Sequence, residues 1–336
     1  MKAGLIGLNG SGRETIFQAL IGPVPLASPD YRLGEALVPD PRLDYLSDLF
    51  KPKKTTPARL ELSLPKATAK TASEGLKWAL EKSRDRDVLL AVVRNFPDLT
   101  GAAAEPAKEA QTLESELILA DYLTVEKRLE RLKEDGKKGR KTDPEELALL
   151  TEGLKLLEDN QPLRVSPGLG TNPKTKGFGF LSAKPLLTLY NSPDDLTELM
   201  TPNDGPLLFR GRLEAELNQL DPEEAKEFMG DYGLTELGQA RIIRTLYAMM
   251  DLISFFTVGE DECRAWTLKR GDNALAAAGE IHSDIQKGFI RAEVVSYEDF
   301  KAAGGFPEAK KRGVFRLEGK TYVVKDGDIA HFRFNV

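Results

Sequence analysis

A glycine-rich turn near the start of the chain has residue types and spacing that suit phosphate binding. Gly7-Leu-Asn-Gly-Ser-Gly-Arg-Glu-Thr15 follows a short apolar stretch and precedes a helical pattern. Gly7 and Gly12 have the spacing of the phosphate-binding loop G-x-x-x-x-G-K-[ST]. In such a loop several backbone N–H groups face one anion, and the following helix N-terminus adds positive partial charge. A tight strand-to-helix turn without a ligand fits the same spacing, whereas a dinucleotide-binding G-x-G-x-x-G pattern does not.

The two positions after the last glycine hold unusual residue types. Arg13 stands where a lysine normally supplies charge to the outer phosphates, and Glu14 stands where a hydroxyl normally binds Mg²⁺. Arginine keeps the charge on a longer planar group, whereas a carboxylate repels a polyphosphate unless a metal intervenes or the side chain turns away. Thr15 offers a hydroxyl one residue later and is the predicted metal ligand. The predicted nucleotide-binding residues of the loop are Asn9, Gly10, Ser11, Gly12, Arg13, Glu14 and Thr15.

Composition limits the class of protein and its partners. The 336 residues suffice for two or three domains, and a net charge of -6 means that any nucleic-acid contact must come from local basic patches. Cys263 is the single cysteine, which excludes an intramolecular disulfide framework and favours a reducing compartment. Because no signal-peptide pattern or membrane-spanning apolar run is present, we predict a cytoplasmic protein without a membrane partner. His282 and His331 are too isolated to suggest a metal site.

Strand and helix patterns alternate through the part of the chain that must position the loop. This alternation predicts a doubly wound, mostly parallel sheet. The predicted strands are Ala3–Gly7, Arg59–Leu64, Asp87–Val93, Leu186–Tyr190 and Pro206–Phe209, with a helix at Ala72–Ser83.

Two helical patterns interrupt this alternation. Their apolar residues recur at steps of four and three, which predicts an antiparallel, coiled-coil-like hairpin. The predicted contact residues are Ile118, Tyr122, Val125, Leu129 and Leu132 on the first helix and Leu147, Leu150, Leu154 and Leu157 on the second.

The predicted tip of the hairpin, Lys133–Lys141, is rich in basic residues and contains two glycines. Two interpretations stay open, a solvated flexible loop and an electrostatic contact with RNA phosphates driven by counterion release. The residues of the predicted RNA or ribosome contact are Lys133, Lys137, Lys138, Arg140 and Lys141.

The residues from about Leu252 onwards have a different pattern. Strand, helix and further strands within about 85 residues predict a small α+β domain of β-grasp type. The predicted strands are Arg264–Leu268, Phe289–Val295, Thr321–Val324 and Ile329–Phe334, and the predicted helix is Asp272–Gln286.

Several stretches resemble the Obg-like ATPases of the YchF type. They are Val38–Leu46, Leu113–Asp121, Arg264–Thr267, Ile281–Val294, Leu317–Lys320 and Asp326–Val336. The resemblance implies an α/β fold with a Ras-like P-loop NTPase domain (1–112 and 163–251), an inserted antiparallel helical hairpin (113–162) and a C-terminal β-grasp (TGS) domain (252–336). It also implies binding of ATP or GTP with Mg²⁺ and association with ribosomes.

The sequence departs from the family's motifs at the nucleotide site. Leu64-Pro-Lys-Ala67 stands where the family has D-x-x-G, and Asn191-Ser-Pro-Asp194 stands where it has the base-reading N-x-N-E. Asn191 and Asp194 are therefore predicted to bind nucleotide by resemblance alone, and Phe209–Arg212 matches the last motif near the base.

We therefore predict a degenerate member with weak or no hydrolysis, associated with the ribosome or RNA, and assign no catalytic residue. An active ATPase or GTPase that uses Arg13 and Thr15 is one alternative. A protein-interaction scaffold that binds no nucleotide is the other.

Overall fold

The computed structural model describes residues 1–22, 31–65, 71–98, 100–196, 205–232, 234 and 236–335. The chain forms two compact units, one from 1–35 and 61–239 and the other from 36–60 and 240–336. The predicted division into three domains stays a prediction. The two compact units have different boundaries from those domains, because residues 36–60 group with the C-terminal part. We describe each unit by itself.

Strands and helices alternate along much of the chain. The strands are β1 (Lys2–Ile6), β2 (Tyr31–Leu37), β3 (Lys54–Thr56), β4 (Arg59–Pro65), β5 (Val88–Arg94), β6 (Leu186–Asn191), β7 (Leu207–Phe209), β8 (Leu252–Thr257), β9 (Glu262–Lys269), β10 (Phe289–Ser296), β11 (Arg316–Glu318) and β12 (Asp328–Phe334). The helices are α1 (Arg13–Ile21), α2 (Pro41–Phe50), α3 (Ala72–Glu81), α4 (Pro106–Lys137), α5 (Pro144–Glu158), α6 (Pro167–Thr171), α7 (Gly211–Leu217), α8 (Pro222–Asp231), α9 (Gly238–Met249), α10 (Ala274–Ile281), α11 (Ser283–Lys287), α12 (Tyr297–Ala303) and α13 (Phe306–Lys311). None of the helices in the described ranges is long and apolar enough to cross a membrane.

The N-terminal unit is built on a six-stranded sheet with the order β2-β4-β1-β5-β6-β7. β1 pairs in parallel with β4 and β5, and β5, β6 and β7 continue the parallel arrangement. β1 and β5 are almost entirely buried, as expected for central strands covered on both faces. The predicted Ras-like α/β fold is confirmed. The carboxyl ends of β1, β5 and β6 meet at one edge, where ligands bind in sheets of this type.

The hairpin of α4 and α5 extends from this unit and has its own core. Most of the predicted contact residues are buried or packed in that core, but Leu147 is 38% exposed, so its predicted place in the contact is wrong. Leu163, Leu169 and Phe180, from the chain that returns to the sheet, complete the core. α4 continues to Lys137, so the first part of the predicted tip loop is helical and the connection is only 138–143.

The root of the hairpin is fixed by a buried carboxylate. Asp121 of α4 has no exposed surface. Its oxygens accept hydrogen bonds from the backbone N–H groups of Leu181 (3.0 Å) and Ser182 (2.7 Å), from the Ser182 hydroxyl (2.8 Å) and from Arg84 (3.1 Å). Burial raises the pKa of Asp121, and these hydrogen bonds oppose that shift. The carboxylate thereby joins the start of the hairpin to the chain segment that precedes β6.

The C-terminal unit contains a second six-stranded sheet, with the order β11-β10-β12-β8-β9-β3. α10 packs on it through Ala274, Ala277 and Ala278. Two predictions here are wrong in detail. Thr321–Val324 forms only an isolated bridge between Val323 and Asn273. The predicted helix 272–286 divides at His282, whose Nδ1 accepts the Asp284 N–H (3.2 Å) and begins a new helix.

Residues 36–60 complete this unit from a distant part of the sequence. β3 pairs in parallel with the edge strand β9, and Phe50 at the end of α2 contacts the rings of Phe300 and Phe306. The guanidinium of Arg42 donates to Asp326 (2.9 Å) and lies 5.3 Å from the centre of the Phe256 ring. Sheet pairing, aromatic packing and an ion pair therefore hold this segment in place.

Candidate functional site

The predicted phosphate-binding loop joins β1 to α1 at the carboxyl edge of the parallel sheet. Gly10 and Gly12 have φ values of 80° and 83°, in the left-handed region that favours glycine. Gly12 caps α1 without a side-chain hydrogen bond, and its carbonyl accepts the Ile16 N–H at 3.0 Å. The first N–H groups of α1 therefore have no capping side chain among the described residues, as an anion site requires.

The first glycine of the loop permits close packing. A Cβ built on Gly7 would overlap the carbonyl oxygen of Val92 on β5 and would lie 2.8 Å from the Ser11 hydroxyl. The same Cβ would lie 3.2 Å from Cδ of Arg13, so the arginine stem runs back along the loop. Burial lowers the pKa of Arg13, and Glu14 offsets part of the shift. Nη1 of Arg13 is buried and has no hydrogen-bond partner in the described part of the chain.

The side chain of Glu14 turns towards a basic residue on β2. Its Oε2 lies 3.0 Å from Nη1 of Arg32, and the two side chains are 52% and 27% exposed. The carboxylate therefore has a charged partner from the protein at the position where the family carries a hydroxyl that binds Mg²⁺. Thr15, the predicted metal ligand, is half-buried one residue further along α1.

The predicted base-reading residues serve the loop and its neighbouring helix. Asn191 is buried and its amide donates to the Ser11 carbonyl at 3.0 Å. A Cβ on Gly12 would overlap Nδ2 of Asn191, and a Cβ on Gly211 would lie 2.5 Å from its Oδ1. The carboxylate of Asp194 accepts the N–H of Leu213, in the first turn of α7, at 3.1 Å. Asn191 thus holds the loop in place, and a role of either residue in binding a base stays a prediction.

The end of β4 is apolar at the place of the family's D-x-x-G motif. Leu64 is 2% exposed and Pro65 is also buried. Lys66 and Ala67 lie outside the described residues. A buried leucine offers no ligand to a metal or a phosphate.

The predicted RNA-contacting residues lie apart from the loop, at the end of the hairpin. All five are exposed, namely Lys133, Lys137, Lys138, Arg140 and Lys141. Arg140 pairs with Asp135 at 2.9 Å, and Lys138 lies 3.8 Å from Glu134. The structure therefore presents five basic groups to solvent, Lys133 and Lys137 on the last turns of α4 and the other three on the connection 138–143.

Sequence reasoning missed two charged residues that organise this unit. Arg32 pairs with Glu14, although the 17 positions between them show no pattern that links them. Asp121 stands within the apolar series of α4, between Ile118 and Val125. A charged residue on the contact face of a predicted helix was the signal that could have revealed it.

Three comparisons agree on the relatives of this chain. The family model YchF-GTPase_C, whose description reads "Protein of unknown function (DUF933)", matches residues 252–335. The "Ribosome-binding ATPase YchF" of Bacillus subtilis (strain 168) is 36% identical, and that of Escherichia coli O157:H7 is 35% identical. Those alignments cover 100% of this chain and 100% and 99% of the respective relatives.

A solved structure is similar in fold as well as in sequence. The "Structure of the Schizosaccharomyces pombe YchF GTPase" has a TM-score of 0.84 and 29% sequence identity, covering 99% of this chain and 97% of that one. The alignments extend over both compact units and the hairpin. The chain therefore belongs to the YchF family.

Proposed function

We propose that this chain binds ATP or GTP by its phosphates at Gly7–Thr15 and hydrolyses the nucleotide weakly or not at all. The observation that carries the proposal is the ion pair between Glu14 and Arg32, at 3.0 Å. The pair engages the carboxylate that stands in place of the metal-binding hydroxyl, beside a loop in which Gly10 and Gly12 have left-handed φ values. The relatives' names, a ribosome-binding ATPase and a GTPase, support nucleotide as the ligand class.

The residues of the loop fit phosphate but do not fit Mg²⁺. Gly10 and Gly12 have the left-handed backbone of a phosphate-binding loop. Among the described residues, no side chain caps the first turn of α1 and none bonds Nη1 of Arg13, which leaves these donors for a phosphate. For Mg²⁺, the usual hydroxyl is replaced by Glu14, which already has a cationic partner, and Leu64 is buried and apolar. Phosphoryl transfer depends on positioning and charge neutralisation, and loss of one such group lowers the rate on the order of 10²-fold or more.

Titration of the full chain tests this proposal directly. We expect calorimetry to detect binding of ATP or GTP, and a phosphate-release assay to detect weak turnover or none. Arg13→Lys with Glu14→Ser should strengthen binding in the presence of Mg²⁺, because it restores the usual charge and hydroxyl. Phosphate release by the unmodified protein at about 1 s⁻¹ or faster, the range of ordinary enzymes, would contradict the proposal and support the active alternative that uses Arg13 and Thr15.

We also propose that the protein associates with ribosomes in the cytoplasm through RNA phosphates at the hairpin tip. Support comes from the five exposed basic residues there and from the relatives that are named ribosome-binding. Exposed lysine and arginine side chains can neutralise phosphates and release counterions, so that affinity falls steeply as salt rises.

Charge reversal at the tip should weaken ribosome binding in a salt-dependent way. Lys137→Glu with Lys141→Glu should reduce co-sedimentation with ribosomes and lower the salt slope by about one per lost contact. The matched control is Lys53→Glu with Lys287→Glu, because these side chains are 82% and 78% exposed in the C-terminal unit. Equal loss in both double variants would argue against the tip. Absence of the unmodified protein from the pellet at low salt would favour the scaffold alternative.

A further inference from the structure

The phosphate-binding loop and its neighbour on β2 hold three buried polar atoms without partners. They are Oγ of Ser11, Nη1 of Arg13 and Nε of Arg32, considered against the described residues alone. Ser11 is 1% exposed. Buried polar groups in native proteins are almost always hydrogen-bonded, so donors left unpaired at one loop fit an anionic ligand.

Protein charges collect at the same place. Arg13 and Glu14 are the first two residues of α1, and Arg32 pairs with Glu14 at 3.0 Å, so this helix end has two arginines and one carboxylate. The N-terminus of the helix adds roughly half a positive charge. A hydroxyl in place of Glu14 would be neutral and would leave neutralisation of the phosphates to a bound cation. In this chain the arginine side chains supply the positive charge that would neutralise the phosphates.

The pair between Glu14 and Arg32 also sets the position of the second guanidinium. The contact uses Nη1 of Arg32 and leaves Nε without a partner in the described part of the chain. An arginine held by a carboxylate on one nitrogen can still donate from the others to a phosphate oxygen, because the guanidinium carries five N–H donors in a fixed plane.

We propose that the loop binds the polyphosphate of a nucleotide without a divalent cation, with Arg13 and Arg32 as the counter-charges. Glu14 positions Arg32 and occupies the place of the metal-binding hydroxyl. The inference rests on the proposed function, since it assumes that a nucleotide binds at Gly7–Thr15. It makes Arg32 a residue that binds the metal-free polyphosphate directly, and it predicts that Mg²⁺ hinders binding by neutralising the phosphates beforehand.

The test measures the dissociation constants of ATP and ADP with excess EDTA and with excess Mg²⁺. We expect tighter binding in EDTA than in Mg²⁺. Arg32→Ala should weaken binding in EDTA by about tenfold or more, through loss of a charge-assisted hydrogen bond. Arg32→Lys should fall between, because it keeps the charge and loses the planar group. The matched control is Arg270→Ala, since Arg270 is exposed and paired with Asp251 at 2.9 Å.

The outcomes separate this inference from the proposed function. Binding that requires Mg²⁺, or that is as tight or tighter with it, would overturn the inference and leave the proposed function intact. Binding in EDTA that is unchanged in Arg32→Ala would overturn the role of Arg32. No binding of any nucleotide in either condition would refute the proposed function itself.

Arg13→Lys with Glu14→Ser is the converse variant, and its binding should become tighter in Mg²⁺ than in EDTA. The rise in melting temperature when nucleotide is added, measured in EDTA and in Mg²⁺, gives the same comparison without calorimetry.

Discussion

Replacing Asp121 by alanine is expected to lower the free energy of unfolding of the N-terminal unit by about 3–5 kcal/mol. The carboxylate is fully buried and accepts from Leu181, Ser182 and Arg84. Removal leaves the Arg84 guanidinium without its buried partner and two backbone N–H groups without acceptors. Each unpaired buried donor costs about 1–3 kcal/mol, so the losses accumulate at one point of the fold.

The two tryptophans of the chain make this measurement specific to one unit. Trp78 lies on α3 and Trp266 on β9, so Trp266→Phe leaves fluorescence from the N-terminal unit alone. Urea unfolding should then shift strongly for Asp121→Ala. Glu130→Ala, an exposed change on the same helix, should remain within about 0.5 kcal/mol of the parent. A similar small effect for Asp121→Ala would show that the carboxylate does not hold the root of the hairpin.

Gly12→Ala is expected to reduce stability by about 2–4 kcal/mol and to abolish nucleotide binding at the loop. Gly12 has φ 83°, a conformation that is strained for alanine. Its new Cβ would also overlap Nδ2 of Asn191, whose bond to the Ser11 carbonyl holds the loop. Strain and a lost buried hydrogen bond therefore combine at one residue.

Two other glycines separate these contributions. Gly10 has φ 80°, and no atom of the described residues lies within 4 Å of a built Cβ, so Gly10→Ala should show only the backbone strain, about 1–2 kcal/mol. Gly136 lies in α4 with open space around a Cβ, so its replacement by alanine should raise stability by up to about 1 kcal/mol. Urea unfolding and nucleotide titration of the three variants test this order. Equal effects at Gly10 and Gly12 would contradict the role given to Asn191.

The elements that depend on local pattern could be predicted from the sequence. β1, β4, β5, β6 and β7 are short apolar runs beside helical patterns, and the hairpin has a clear period. The errors arose at helix ends, which the spacing of apolar residues does not mark. Leu147 is exposed because it lies near the start of α5, and the helix predicted over 272–286 divides where His282 caps a second helix.

The candidate site was predictable in its backbone and not in its side-chain partners. Glycine spacing located the loop, but the partner of Glu14 lies 18 residues further on and is brought close only by the position of β2. Asn191 was found by resemblance to a family motif, whereas its contact with the Ser11 carbonyl depends on the register of β1, β5 and β6. Long-range pairs of this kind leave no local signature.

The place of residues 36–60 in the C-terminal unit has a consequence for synthesis of the chain. The ribosome makes β3 about 200 residues before the end of its partner strand β9, a delay of roughly 10–40 s at ordinary elongation rates. During that time α2 and β3 have neither Phe300 and Phe306 nor β9 to pack against. The N-terminal unit, whose residues end at 239, can complete its contacts while this segment waits. Biosynthetic order thus makes the C-terminal unit the last to assemble, with an early segment that must stay available until the end.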